Sequence, residues 1–427
     1  MNIFKMGLRS LLYRKKQYIS LFLVCMVGVG ISLFCFFLIK GMLSALEDKA
    51  KIYYGGNLTF IGGKTDLSFN NAQEVIKKLE EVFPEDTIVS QRFDFDADYA
   101  AFYFEGTGVR QRIIKGIDFE KEKDLFTLFN YVEGDTTGME NSNGILLSEP
   151  IAKILGAKTG DSITFMLRTP KGTNTMDLIV KGIFRDSSLF GMYTSYMDIS
   201  YLRNAYGMPQ SWANRICINL PSEYNNKEQI RLYQKELEGK FNMFPLVEDK
   251  QIFYDHLLTG KFKEPTYALV KLSANLNDLQ VLIDAMKIIA AFVIIMLLVI
   301  ITVGVSSTYR VIAMKRINEI GIYMALGMKR HGISGIMLAE TFLLLLVGCL
   351  CGFIFSLFLC WISSLLNLSF IPAFDIFLVN GVLTPLISLN LVYIISITIC
   401  VTTILAVLFA VRKSVKIMPA TALGTTE

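Results

Sequence analysis

The chain has 427 residues, 52% of them hydrophobic and 12% aromatic, with only 19% charged and a formal net charge of +4. Soluble domains run nearer a quarter charged. The composition therefore excludes a disordered chain, a disulfide-stapled miniprotein and an ordinary cytosolic enzyme, and it points to lipid contact.

In chain order, the first apolar run is 18–39, which carries no charge. Crossing a bilayer takes roughly 20 helical residues, so this run predicts a first span. A basic n-region precedes it, as in a signal sequence, but the run is too long for one and no Ala-x-Ala site follows, so a retained helix is expected. Residues 40–287 are too polar to span. Two further charge-free runs are 288–309 and 382–411, and between them 332–371 carries Glu340 as its one charge. The predicted fold class is an α-helical membrane protein with four transmembrane helices and an α+β extracytoplasmic domain inserted between helices 1 and 2.

Basic residues set the orientation, because short Lys/Arg-rich loops stay cytoplasmic. Lys5, Arg9, Arg14, Lys15 and Lys16 precede the first span. Arg310, Lys315, Arg316, Lys329 and Arg330 separate the second and third, and Arg412, Lys413 and Lys416 follow the fourth. The external loop 372–381 has no basic residue and one acid, Asp375. Segments 1–17, 310–331 and 412–427 are thus expected in the cytoplasm of a multi-pass cell (inner) membrane protein. The 40–287 domain, with 29 basic and 34 acidic residues, is expected outside.

The outer domain reads as mixed α and β. Residues 72–83 show an amphipathic helix pattern through Val75, Ile76 and Leu79. A short strand from 145 leads into a helix over 149–155, with Ser148 as N-cap and Pro150 in the first turn. Strands over 162–167 and 176–184 flank a turn at Pro170-Lys171-Gly172. The first span continues outward through Met42, Leu46 and Lys49. Leu272, Leu276, Leu279, Ile283 and Met286 repeat at spacings of 4, 3, 4 and 3, the seam of a paired helix. Two such extensions make a stalk, unless each packs on its own outer domain. The apolar loop 187–193 reads either as a lipid-meeting loop or as a buried turn. Gly348 and Gly352 form a small-xxx-small pair suited to close helix approach.

No chemistry-bearing constellation appears. Six of seven cysteines lie in or at the apolar runs, leaving Cys217 alone in the outer domain, so no disulfide forms there. His256 and His331 have no ligand-spaced partners, and no metal site is expected. Gly62-Gly63-Lys64-Thr65 lacks the earlier glycine of a phosphate-binding loop, since position 58 is Leu, and reads as a turn. Asn57 and Asn367 begin sequon matches short enough to arise by chance. No catalytic residue, resident cofactor or nucleic-acid partner is expected.

The stretch 310–331 is the most specific. Ile317, Ile320 and Met324 form an apolar stripe beside Lys315, Arg316 and Glu319, and Gly327 is placed to end a short helix. Such an amphipathic helix binds lipid headgroups or a partner protein. Glu319-Ile320-Gly321 with Ala325-Leu326-Gly327, then basic residues and Glu340, resembles the FtsX-like permease domain of ABC systems of the macrolide-exporter and lipoprotein-releasing type. Residues 144–161, Lys181-Gly182-Ile183-Phe184, the tail containing Met418-Pro419-Ala420, and Gly7-Leu8-Arg9-Ser10-Leu11 fit the same pattern, with a MacB-like periplasmic core outside.

That resemblance implies a non-enzymatic permease subunit. Two permease chains, as a homo- or heterodimer, pair in the membrane and receive ATP-driven motion from a separate ABC ATPase subunit, which binds the ATP. It assigns Glu319, Gly321, Ala325, Leu326 and Gly327 to a coupling helix, and export or lipoprotein release to the whole, with a lipoprotein or peptide as substrate. An FtsX-type regulator of a cell-wall hydrolase and a membrane-anchored scaffold are the alternatives. The large outer domain favours transport, and the coupling-type loop disfavours the scaffold.

Overall fold

The structure is a computed structural model and describes residues 9, 13, 15–96, 100–111, 113–186, 188, 190–191, 194–246, 249–368 and 370–414. The expectations for residues 1–8, 10–12, 14 and 415–427 lie outside the described residues, as do Ser187, Leu189, Met192 and Tyr193. The chain forms two compact units: Met1–Met42 with Ile283–Leu366 and Leu383–Glu427, and Leu43–Leu282 with Asn367–Val382.

The elements begin with α1 (Lys15–Tyr54), β1 (Leu58–Gly63), α2 (Ala72–Glu80), β2 (Ile88–Asp96), β3 (Ala101–Phe104), β4 (Thr107–Arg110) and β5 (Ile113–Ile117). They continue with α3 (Phe119–Phe126), β6 (Tyr131–Gly134), β7 (Gly144–Ser148), α4 (Glu149–Leu155), β8 (Ser162–Thr169), β9 (Gly172–Phe184) and β10 (Thr194–Asp198). After α5 (Ile199–Tyr206) come β11 (Arg215–Asn219), α6 (Lys227–Glu238), α7 (Lys250–Leu258), β12 (Thr266–Lys271) and the one-turn α8 (Leu272–Asn275). The rest is helical: α9 (Asn277–Lys315), α10 (Ile317–Ala325), α11 (Arg330–Leu365), a 3₁₀ turn (Pro372–Phe377) and α12 (Leu389–Ser414).

Among the described residues, four helices are long and apolar enough to cross a membrane: Tyr18–Tyr54, Leu279–Lys315, His331–Leu365 and Leu389–Phe409. In the helical unit, α1 buries one face at near-fourfold spacing, through Leu21, Cys25, Val29, Leu33 and Phe37, against Ile301 and Val305 of α9 and Leu344 and Leu345 of α11. Close approach depends on missing side chains. A Cβ on Gly348 would lie 2.9 Å from that of Cys25, and one on Gly352 would lie 2.9 Å from the Met26 carbonyl. The small-residue pair is therefore used within the chain, against the first span.

Two helix ends differ from the sequence expectation. α11 stops at Leu365, short of residue 371, because Leu366 turns extended. α12 begins at Leu389, later than 382, since Gly381 takes φ +77 and Pro385 cannot donate to a helix. The intervening 367–382 belongs to the sheet-bearing unit. The loop expected at 372–381 is thus part of the sheet-bearing unit.

That unit is built on a sheet ordered β12-β1-β11-β2-β5-β10-β7-β9-β8-β3-β4, with β6 paired to β9. Two ladders are parallel, β10–β5 and β7–β9, and the others are antiparallel. The β8–β9 hairpin turns where Pro170 and Gly172 placed it. Among the described residues four clusters fill the faces: Phe60, Ile76, Ile218 and Leu237 at one end; Phe102, Leu147, Phe165 and Leu178 at the other; Ile52, Phe126, Phe184 and Tyr196 between; and Ile61, Phe253, Leu257 and Val270 where α7 meets β1 and β12. Ser148 stands at the N-cap position of α4, yet its hydroxyl makes no cap bond and is buried without a protein partner.

Candidate functional site: the α10 joint and the stalk

α9 and α10 are separated by one residue, Arg316, whose φ of −103° and ψ of 14° break the helix. Its buried guanidinium explains the break. Nη1 donates to Glu340 Oε2 at 2.6 Å and to the Tyr18 hydroxyl at 3.1 Å, while Nε donates to Glu319 Oε2 at 3.0 Å. Tyr18 donates to the same Glu340 oxygen at 2.8 Å, and Tyr309 reaches it at 3.2 Å and the Met337 carbonyl at 2.8 Å. One fully buried carboxylate on α11 thus gathers donors from α1, from α9 and from the joint. A charge out of water is tolerable only when so paired.

The knot orients α10. Ile320 and Gly321 are buried, and Ile317, Tyr323 and Met324 are half-buried. Ile322 is 51% exposed and Leu326 78% exposed, with Ala325 and Gly327 exposed beside them. Gly327, at φ +85°, takes the left-handed conformation that ends the helix, and the Met328 N–H bonds back to Tyr323. The five residues expected in a coupling helix therefore divide. Ala325, Leu326 and Gly327 face outward, Gly321 faces inward, and Glu319 braces Arg316 at about one-third exposure (31% of its side chain). Ile322, Tyr18 and Tyr309 were missed by sequence reasoning, which named Arg316 only as a charge beside the stripe. The available signal was Glu340, a lone acid in an apolar run, which requires a buried partner.

The stalk stripe needs correction. Leu272 and Leu276 do not continue into the long helix: α8 ends at Asn275 and α9 starts at Asn277. The reason is that the Asn275 carbonyl accepts from the Tyr54 hydroxyl and from Lys250 Nζ, both at 3.1 Å, and its amide donates to Thr59 Oγ1. The Leu279 N–H, diverted, bonds to Leu276 instead. Moreover Leu272, Leu276 and Ile283 are buried within the chain, and Leu279 and Met286 half-buried. The exposed stripe of α9 runs instead through Val281, Ile288, Phe292, Ile295 and Val299.

The other helix of the expected stalk, α1, is fixed at its C-terminal end. Arg92 Nη1 donates to the Ile52 and Tyr53 carbonyls at 2.9 and 3.0 Å, placing a cation at the C-terminus of α1, where the helix dipole favours it. Arg92 is itself paired with buried Glu122. Beside it, Lys115 lies 4.0 Å from the Tyr53 ring centre and 2.9 Å from Asp94 Oδ2, which also accepts from Arg215 at 3.2 Å. Burial pushes Lys115 down to about 8, because its one carboxylate is shared with Arg215. Burial alone would raise Asp94, but Lys115, Arg215 and Arg92 overcome it and hold the carboxyl at about 2. Burial pushes the Cys217 thiol up to about 12, so it is an inert donor to the Tyr54 carbonyl. Among the described residues no cluster suited to a metal ion occurs.

These features define a membrane protein of four long apolar helices with a folded, sheet-based domain between the first two. Residues 291–419 match the family model of the FtsX-like permease C-terminal domain. No curated protein matches the chain. Among solved structures, the periplasmic region of MacB from Actinobacillus actinomycetemcomitans is similar at 12% identity and a TM-score of 0.33, over 53% of this chain and 94% of that one. That likeness is low.

Proposed function

We propose that the chain is the permease subunit of an ABC transporter, converting ATP-driven motion of a separate ATPase into movement of its outer unit for export or lipoprotein release. The observation that carries this is α10: a nine-residue helix whose base is knotted to three apolar helices while Ile322 and Leu326 face outward. An apolar surface on a short helix so firmly seated suits the docking of a partner that pushes. Glu319 then positions the helix through Arg316, and Leu326 with Ala325 and Ile322 meets the ATPase. ATP is bound by the partner, and this subunit carries no catalytic group or cofactor of its own.

In this reading the protein lies in the cell membrane with 1–17, 310–331 and 412–427 cytoplasmic. A second permease chain covers the exposed α9 stripe. The support is that Val281, 80% exposed, lies beyond the expected span 288–309, where water rather than lipid would meet it. The size of the outer unit supports transport or release over regulation of a cell-wall hydrolase. An impermeant thiol reagent tests the placement on Ile322→Cys in a version lacking native cysteines. Labelling only after permeabilisation is expected, and labelling of intact cells would overturn the orientation.

A further inference from the structure

The chain passes between its two units at four places: twice within long helices, and again at 366/367 and 382/383, the ends of the external loop. Residues 367–382 are folded. The Leu368 N–H bonds to the Gly381 carbonyl at 2.7 Å, and Asn367 pairs with Val382. Asn380 and Gly381, at φ +58° and +77°, make the two-residue turn closed by reciprocal Val379–Val382 bonds. Ile376, Phe377 and Leu378 are buried.

The loop's one acid is not at its surface. Asp375 is buried, and both its backbone and its side chain receive Lys49 of α1: Nζ lies 2.6 Å from the Asp375 carbonyl and 3.1 Å from Oδ2. The same ammonium lies 3.4 Å from Asp186 Oδ1, just after β9. Asp186 is itself held by the Ser188 N–H at 2.9 Å, and Gly191 packs against it. The Lys49 side chain is 15% exposed, against 5% and 3% for its two acids. A cation serving two buried carboxylates and a carbonyl joins three segments far apart in sequence: the outward end of α1, the end of the β9 strand and the external loop.

We propose that Lys49 is a positioning residue that latches the external loop to the outward end of α1, holding 367–382 in place within the sheet-bearing unit. Displacement of the outward end of α1 then moves residues 367–382 with it. This goes beyond the coupling role of α10 and needs no ATPase to be examined.

Hydrogen exchange of the full-length chain in detergent tests it. Lys49→Met keeps the length of the stem and strands two acids. Protection within 370–382 should fall on the order of a hundredfold, the scale of breaking a buried pair. Protection in β2 and β5 should stay within about twofold, since local opening spares units that do not share the contact. Lys49→Arg should restore protection, because the guanidinium can serve the same three acceptors. Asp375→Asn, which keeps the shape and an acceptor oxygen, should give an intermediate loss. If 370–382 stays protected in Lys49→Met, apolar packing alone holds the loop and the latch is refuted. If Lys49→Met loosens the whole outer unit equally, or Lys49→Arg fails to restore the loop, the specific positioning role is refuted as well. Neither result bears on ATPase docking.

Discussion

Replacing Arg316 by Met tests whether the buried knot holds the joint between α9 and α10. In the native protein Glu340 Oε2 accepts from Arg316 at 2.6 Å, Tyr18 at 2.8 Å and Tyr309 at 3.2 Å. Arg316→Met leaves both tyrosines but strands a carboxylate that is fully buried. Breaking a buried pair from one side costs about 3–5 kcal/mol. Glu340→Gln keeps an oxygen for both tyrosines, and Arg316 keeps Glu319 at 3.0 Å, so its cost should be smaller, about 1–3 kcal/mol. The double variant strands no charge. It should be less destabilised than the sum of the two, with a coupling of about 2 kcal/mol. Unfolding of the purified chain by SDS in mixed micelles, followed by helix content, supplies the three values. Additivity to within about 0.5 kcal/mol would refute the argument.

Other consequences can be read on the same preparation. Gly352→Leu should destabilise the helical unit by at least about 1–3 kcal/mol, through overpacking against the Met26 carbonyl, whereas Gly304→Ala, whose Cβ finds Val24 at an ordinary 3.4 Å, should be neutral or stabilising. On the acid side, Asp94 has a folded value below its unfolded one, so its contribution of about 2 kcal/mol is present above pH 3.8 and lost as pH falls towards 2. Fluorescence of Trp212 in a Trp361→Phe background should show that loss, and Asp94→Asn should remove it. On the alkaline side, Lys115 is depressed from 10.5 to about 8, so the fold binds fewer protons than the unfolded chain between those values. Its penalty is relieved as pH rises through that window, and Lys115→Met should flatten this part of the stability profile.

The long helices were legible because length and the absence of charge are local properties of the sequence. The α4 helix and the β8–β9 hairpin were legible for the same kind of reason, since Pro150, Pro170 and Gly172 fix backbone geometry where they stand. What failed depends on distant partners. The stripe from Leu272 keeps helical spacing, yet Asn275 interrupts it by bonding to Thr59, Tyr54 and Lys250. The loop 372–381 was expected, but its packing into the sheet-bearing unit was hidden, because its apolar residues merge into the neighbouring runs and its charge is answered by Lys49, 326 positions away. In the 310–331 segment, Leu326 came only from the family resemblance, whereas the glycine that ends α10 could be read from pattern. The inward turn of Glu319 could not, because Arg316 is claimed by a carboxylate on another helix.

The central claim is that α10 meets an ATPase through its outward apolar face, and a photo-crosslinking residue at position 326 tests it directly. Leu326 is the most exposed residue of that face, so substitution there should leave stability within about 0.5 kcal/mol. Illumination in cells should join the chain to a subunit carrying nucleotide-binding motifs, identified by mass spectrometry, and the same probe at Tyr393, exposed on α12, should not. Loss of the crosslink when Ile322→Asp is added would complete the assignment. A probe at 326 that captures no such subunit, or captures it equally from 393, would contradict the account.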